Sequence, residues 1–240
     1  MINNLSANFF ENIATIFTTS KYLEMIIEGL KITLIVTVGA GVIGIILGAI
    51  VALTKIIAEN NPNSKWLKIP NAVCDVYVTV IRGTPMALQL FVMAFVIFAI
   101  RGFPEEVTAI IAFGFNSGAY VSENIRAGIM SVDKGQTEAG RSLGLSGKTT
   151  LIGIVLPQGV KNVIPAIGNE LIALVKETSI VSMVGMFDLT QASKVIGSGQ
   201  NLATFVAPMV VVACFYLIIV YAITLIIKLI ERRLRASDIR

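Results

Sequence analysis

The chain has 240 residues, 55% of them hydrophobic and 14% charged, with a net charge of +4 and no histidine. Soluble domains carry about 25% charged residues, so this chain has too few to cover a water-facing surface, and a bilayer must be its main solvent. A free-standing soluble enzyme, an extracellular disulfide scaffold and a disordered tail are thereby excluded. The missing histidine removes the commonest metal ligand and general base. Cys74 and Cys214 both lie in apolar stretches and read as small core residues, not as a metal or disulfide pair.

Residues 1–30 read as an outside, partly amphipathic approach to the first membrane helix. With no Lys or Arg among the first twenty residues, and with Glu11 present, they lack the basic start of a cleavable signal peptide. A bilayer core about 30 Å thick takes roughly 20 apolar residues per helix. The charge-free interval from Lys31 to Lys55 meets that length and predicts a first span at 30–55. Within it Gly44 and Gly48 either form a small-xxx-small pair that admits a neighbouring helix or are glycines that a membrane helix simply tolerates. The interval from Arg82 to Arg101 predicts a second span at 84–101, and that from Lys194 to Lys228 a last one at 202–228. Between them, 106–131 and 163–187 have the required length once a few functional charges are allowed inside: Glu123 and Arg126 in the first, Glu170, Lys176 and Glu177 in the second. The expected fold is an all-α membrane protein of five transmembrane helices, a single domain over 1–240.

Lys and Arg concentrate in cytoplasmic connections. Lys55, Lys65, Lys68 and Arg82 follow the first span, and Lys134, Arg141, Lys148 and Lys161 the third. Lys228, Arg232, Arg233, Arg235 and Arg240 follow the fifth, while the other connections hold only Arg101 and Lys194. The alternation puts the N-terminus outside and the C-terminus in the cytoplasm. The basic tail suits anionic lipid better than nucleic acid.

The longest inner connection, 132–161, contains EAGRSLGLSGKTTLIGIVLPQ from Glu138, which reads as a short helix, a turn at Gly144 and Gly147, and a second helix stopped at Pro157. Ser142 to Thr149 comes within one residue of a phosphate-binding loop. No apolar strand precedes it and no parallel sheet can be drawn from the chain, so a nucleotide site is not expected there.

The same stretch resembles the cytoplasmic EAA loop of ATP-binding-cassette importer permeases: E-A-A, three residues, G, nine residues, I-x-L-P. Glu138, Ala139, Gly144, Ile154, Leu156 and Pro157 fall on it in register, with Gly140 in place of the third-position Ala. Arg82-Gly83-Thr84-Pro85, YVSENIRAG from Tyr120 and KETS from Lys176 resemble the polar amino acid branch, whose members carry arginine, histidine, lysine, glutamine or glutamate. The resemblance extends from about 25 to 228. It implies a type I importer permease of a bacterial or archaeal cell membrane, a transport subunit and not an enzyme, with no cofactor of its own. ATP and Mg would sit on a cytosolic ATPase dimer, docked through Glu138, Ala139, Arg141, Gly144, Leu156 and Pro157. A second permease subunit, identical or homologous, and an external solute-binding protein complete the implied assembly.

An ionisable group in hydrocarbon costs at least about 2.5–3.5 kcal/mol on insertion scales, so it is expected to face a polar path or a partner. Asn116, Tyr120 and Glu123 recur at i, i+4 and i+7, on one helix face. Glu123 either pairs with Arg126 one turn on or faces the path and meets a substrate cation. Glu170 and Glu177 share a face of the next span, with Lys176 beside them and Asp188 near its outer end. Lys176 either pairs with one of these carboxylates or contacts substrate. Thr178, Ser179 and Ser182 either bond to helix carbonyls or line a wet cavity. For a substrate carboxylate, Arg82 or free N–H groups opening a helix at Thr84 and Pro85 are candidates, with Gln89 and Asn116 as neutral contacts. Acids outnumber bases in this set, which favours arginine, lysine or histidine over glutamine or glutamate. An ATP-independent carrier or channel would have little use for the patterned loop, and a membrane-embedded enzyme would have only paired carboxylates to work with.

Overall fold

A computed structural model describes residues 2–199 and 205–235, and every regular element among them is helical. Arg240 and positions 202–204 of the last predicted span lie outside the described residues.

A first helix, α1 (Ile2–Thr18), is separated by Thr19 from α2 (Ser20–Asn60), 41 residues long. At 1.5 Å per residue α2 extends roughly 60 Å, about twice a bilayer core. The predicted span 30–55 is therefore its middle. Residues 20–30, expected as an approach outside the helix, belong to it because nothing from Ser20 onward breaks the helical run. The helix ends where Asn61 and Pro62 follow.

The second predicted span is corrected. α3 (Lys65–Gly83) and α4 (Met86–Val92), the latter extended by one π-helical turn at Met93–Ile97, meet at an elbow of 109°. Pro85 pushes the preceding Thr84 out of the helical region, to φ −122° and ψ 146°. Residues 84–101 contain only the short second arm. The amphipathic α3, whose charges removed it from the count, supplies the rest.

α5 (Glu105–Met130) runs parallel to α2, Gly39, Gly44 and Gly48 facing Ile110, Ser117 and Val121 in turn. A Cβ at Gly44 would stand 2.7 Å from Ser117 Oγ, and one at Gly48 2.6 Å from Val121 Cγ1. Of the two readings of this glycine pair, close helix packing is the one the structure has. Because α2 and α5 are parallel, α3 and α4 must carry the chain back along the bundle.

The inner connection holds α6 (Lys134–Ser142) and α7 (Gly147–Thr150), then a π-helical turn at Leu151–Val155 that runs straight into α8 (Leu156–Glu177). Pro157 does not stop the helix. It occupies the first turn of α8, where a missing N–H costs little, and the π-turn before it absorbs the change of register. α8 is antiparallel to α5, with Val163 against Gly128 and Leu174 beside Phe113. It tightens into a 3-10 segment at Thr178–Val184 that closes at Gly185. α9 (Leu189–Gly197) and α10 (Val206–Arg235) follow, α10 packing Ile227 on Gly168 of α8.

Val36, Leu90, Phe113, Leu174 and Val181 form the main core where α2, α4, α5 and α8 meet. Ile16, Ile26, Leu189, Ile196 and Val211 form a second, joining α1, α2, α9 and α10. Among the described residues three helical stretches, Ser20–Asn60, Gly147–Val184 and Val206–Leu234, are long and apolar enough to cross a membrane, and the bent α3–α4 pair is a fourth. α5 has the length but not the composition. Its polar residues are sheltered by α2, α3 and α8, so it needs little apolar surface toward lipid.

Candidate functional site

Three helices converge at the C-terminal end of α2. Lys55 Nζ lies 3.0 Å from Glu123 Oε1 on α5 and 3.2 Å from Asp75 Oδ1 on α3. Arg82, in the last turn of α3, places Nη1 3.8 Å from Glu123 Oε2 and its guanidinium 5.4 Å above the Tyr120 ring. Arg126 donates to Glu59 Oε1 at 2.9 Å and holds its Nε 3.8 Å from Glu123 Oε1. Glu123 thus pairs with Arg126 only at the longer distance and with Lys55 at the shorter. The six groups carry three positive and three negative charges. With the Lys55 and Glu123 side chains 13% and 24% exposed, the attraction between these two is screened less than at an open surface.

One level away along α5, the elbow is tied in place. Gln89 Nε2 donates to Ile81 O at 2.8 Å and to Thr84 Oγ1 at 2.7 Å, and Gln89 Oε1 accepts from Asn116 Nδ2 at 3.0 Å. Gln89 therefore caps a carbonyl at the end of α3 and links the bend to α5. The Tyr77 hydroxyl donates to Phe115 O beside Gly118, where a Cβ would lie 2.8 Å from the phenol oxygen. The expected N–H groups at Thr84 and Pro85 are corrected by one or two residues. α4 opens at Met86, and Pro85 has no N–H to offer.

Lys176, Glu177 and Ser179 line a separate open recess with Ala173 and Ile180. Thr178, Ser179 and Ser182 all donate to backbone carbonyls three residues back, at 2.7 to 2.8 Å, the first of the two expected arrangements. Asp188 is fully buried. Its Oδ1 accepts from Gln191 N and its Oδ2 from Thr190 N and the Tyr216 hydroxyl, so it caps α9 away from the other candidates.

In the inner connection Gly144 has φ +81°, a left-handed turn that a side chain would strain. Glu138, Ala139 and Arg141 are exposed on α6, and Leu143 at its tip is 81% exposed. Leu156 is half-buried against the cluster of Ile56, Ile129 and Val155, and Pro157 is exposed. Gly140 is buried, and a Cβ there would lie 2.8 Å from Thr150 Cγ2. The departure from Ala in the E-A-A pattern thus lets α6 lie directly on α7.

Residues 44–236 match the family described as the binding-protein-dependent transport system inner membrane component. The chain belongs to that family. The arginine transport system permease protein ArtQ of Bacillus subtilis (strain 168) is 38% identical over 92% of this chain and 97% of its own. A putative glutamine transport system permease protein GlnP of Rickettsia bellii (strain RML369-C) is 39% identical over 91% and 96%, and the L-cystine transport system permease protein TcyB of Bacillus subtilis (strain 168) 37% over 86% and 85%. The crystal structure of an amino acid ABC transporter with histidines superposes with a TM-score of 0.80 at 36% identity, covering 90% of this chain and 97% of that one. An inward-facing MetNI methionine ABC transporter, 21% identical, shares the fold with a TM-score of 0.73, covering 90% and 99%.

In this permease, sequence reasoning missed Lys55, Glu59 and Asp75 as partners of the α5 charges. Lys55 served as the end of an apolar interval and as a basic residue of the connection after it, and Asp75 sat in a segment assigned to a loop. Leu143 was also missed. An apolar residue between the polar α6 and a glycine turn was its available signal.

Proposed function

We propose that this permease is the transmembrane subunit of an ATP-driven amino acid importer in a bacterial or archaeal cell membrane, forming the path for a polar amino acid. The observation that carries the reading is the inner connection: a patterned loop whose exposed Leu143 stands on the left-handed turn at Gly144, in a chain of the transport family. Five crossings are proposed, by α2, the α3–α4 pair, α5, α8 and α10, with the N-terminus outside and the C-terminus in the cytoplasm. The parallel course of α2 and α5 supports the bent pair as one of them.

ATP is bound and hydrolysed on a cytosolic ATPase dimer, not on this subunit. Closure of that dimer pushes α6 and, through the π-turn, α8, and so rocks the bundle between inward and outward access. Substrate and solute-binding protein shift this equilibrium only by binding its two states unequally. A second permease subunit, identical or homologous, completes the path.

Relatives named for arginine, glutamine and cystine resemble this chain about equally, so the substrate class rests on its own residues. We favour a cationic amino acid, because α8 carries two acidic residues, Glu170 and Glu177, against one adjacent base, Lys176. Binding of labelled arginine, lysine and histidine to the purified complex is the expected result. Binding of glutamine or glutamate alone would transfer the assignment to the alternative substrates. Glu123 is assigned to holding α2, α3 and α5 together, since three cations already surround it. Glu123→Gln is expected to lower stability by about 1–3 kcal/mol in thermal unfolding of the complex, with amino acid affinity kept within about twofold. A large loss of affinity in an equally stable protein would instead place Glu123 on the substrate.

A further inference from the structure

The helix α1 has a single charged residue, Glu11. From Phe9 onward its side chains fall into three rows. Phe9, Ile13 and Ile16 turn inward and join the second core, against Ile26 of α2, Leu189 and Ile196 of α9 and Val211 of α10. Phe10 and Phe17, at i and i+7 and so on one side of the helix, point away from the bundle, 69% and 48% exposed, with exposed Ala14 between them. Glu11 and Thr18 are exposed along the third row, shared with the half-buried Thr15. The Thr15 and Thr18 hydroxyls donate to Glu11 O and Ala14 O, each at 2.9 Å.

The outward surface of α1 is thus divided lengthwise into an apolar strip and a polar one. A helix face immersed in hydrocarbon is apolar throughout, and one in water is polar throughout. A lengthwise division matches the boundary between the two, where an amphipathic helix lies in the plane with its apolar side roughly 5–10 Å into the headgroup and acyl region. Two neighbours place α1 at that level independently. The opening stretch of α2 exposes Lys21, Glu24, Glu28 and Lys31, charges that hydrocarbon excludes, and Ile26 among them shares a core with Ile16. On the other flank α10 begins with exposed Val206, Met209 and Val210, an apolar surface that adjoins α1 through Ala207 and Val211.

We propose that α1 is an interfacial helix that seats this permease in the outer leaflet, Phe10 and Phe17 entering the acyl boundary while Glu11 and Thr18 stay among headgroups and water. The outer placement rests on the topology proposed above, with the N-terminus outside. Because α1 also packs on α9 and α10, this lipid contact braces the outer ends of both against the bilayer.

The test attaches an environment-sensitive fluorophore to Phe10→Cys or Glu11→Cys in the complete complex, with Cys74→Ala and Cys214→Ala, in nanodiscs whose lipids carry a spin-label quencher either near the headgroup or deep in the acyl chain. Position 10 is expected to be quenched at least about twofold more than position 11, and more by the shallow label than by the deep one. Equal quenching at the two positions, stronger quenching by the deep label, or none at position 10 overturns the proposal. Should the complex without native cysteines fail to assemble, photocrosslinking from Phe10→benzoylphenylalanine in the otherwise native chain decides. An adduct with phospholipid supports the proposal, and an adduct with protein alone, whether a second copy or a solute-binding protein, overturns it. A membrane-impermeant maleimide applied to right-side-out vesicles tests the topology separately. Glu11→Cys is expected to react before lysis; reaction only after lysis defeats the topology, and the outer leaflet with it, whatever the quenching pattern.

Discussion

Leu143→Asp is expected to abolish capture of the ATPase while leaving the permease folded. The residue is 81% exposed at the tip of α6, so its replacement disturbs little inside the chain, and surface changes of this kind shift stability by about 0.5 kcal/mol or less. Burying a leucine in a partner's groove contributes about 1.5–3 kcal/mol, and forcing a carboxylate into the same groove adds a desolvation penalty. Together these predict a loss of roughly a hundredfold or more in affinity. Gly144→Val should act in the same direction by another route: at φ +81° a side chain costs about 1–2 kcal/mol, and relief of that strain re-aims α6. Co-purification of the ATPase with tagged permease, together with the ATPase rate of the mixture, measures both. Retention of the ATPase at wild-type yield by Leu143→Asp would remove the loop from the interface.

Gly48→Leu is the substitution expected to damage the fold most. Its Cβ alone would lie 2.6 Å from Val121 Cγ1 and 3.0 Å from the Gly118 carbonyl oxygen. The first neighbour is a β-branched side chain held by its helix, and the second is backbone, so neither yields readily. Overpacking of this kind costs about 1–3 kcal/mol and sometimes more. Separation of α2 from α5 also stretches the Lys55–Glu123 bridge farther along the same seam. Thermal unfolding with size-exclusion chromatography should find little monodisperse complex. Val42→Leu, on the 52% exposed outer side of α2, should behave as wild type. Equal stability of the two variants would mean that α2 and α5 are not packed this closely.

Much of the bundle was legible in the charge-free intervals, but they report where a chain leaves hydrocarbon and not where a helix begins or bends. α2 was therefore found and its length was not, since Ser20 to Leu30 continues the helix while carrying charges. The second span failed for the same reason. Arg82 and Asp75 hid α3 from the count, although in the structure both charges are met by Lys55 and Glu123. Periodicity placed Asn116, Tyr120 and Glu123 on one face, and the structure gives each of them a contact from α2, α3 or α4. Which partner each found depended on the fold of the elbow, and no local pattern encodes that. Asp188 illustrates the opposite limit. As an isolated acid near a span end it looked like a candidate contact, while three residues downstream its own helix supplies the N–H group that it caps.

The central claim is that this subunit moves an amino acid only when coupled to an ATPase. Uptake of labelled arginine and glutamine into proteoliposomes containing the permease, its ATPase and its solute-binding protein tests it most directly. Accumulation of at least one of them that requires ATP and stops with Leu143→Asp is the predicted result. Accumulation by the permease alone, without nucleotide, would contradict the account.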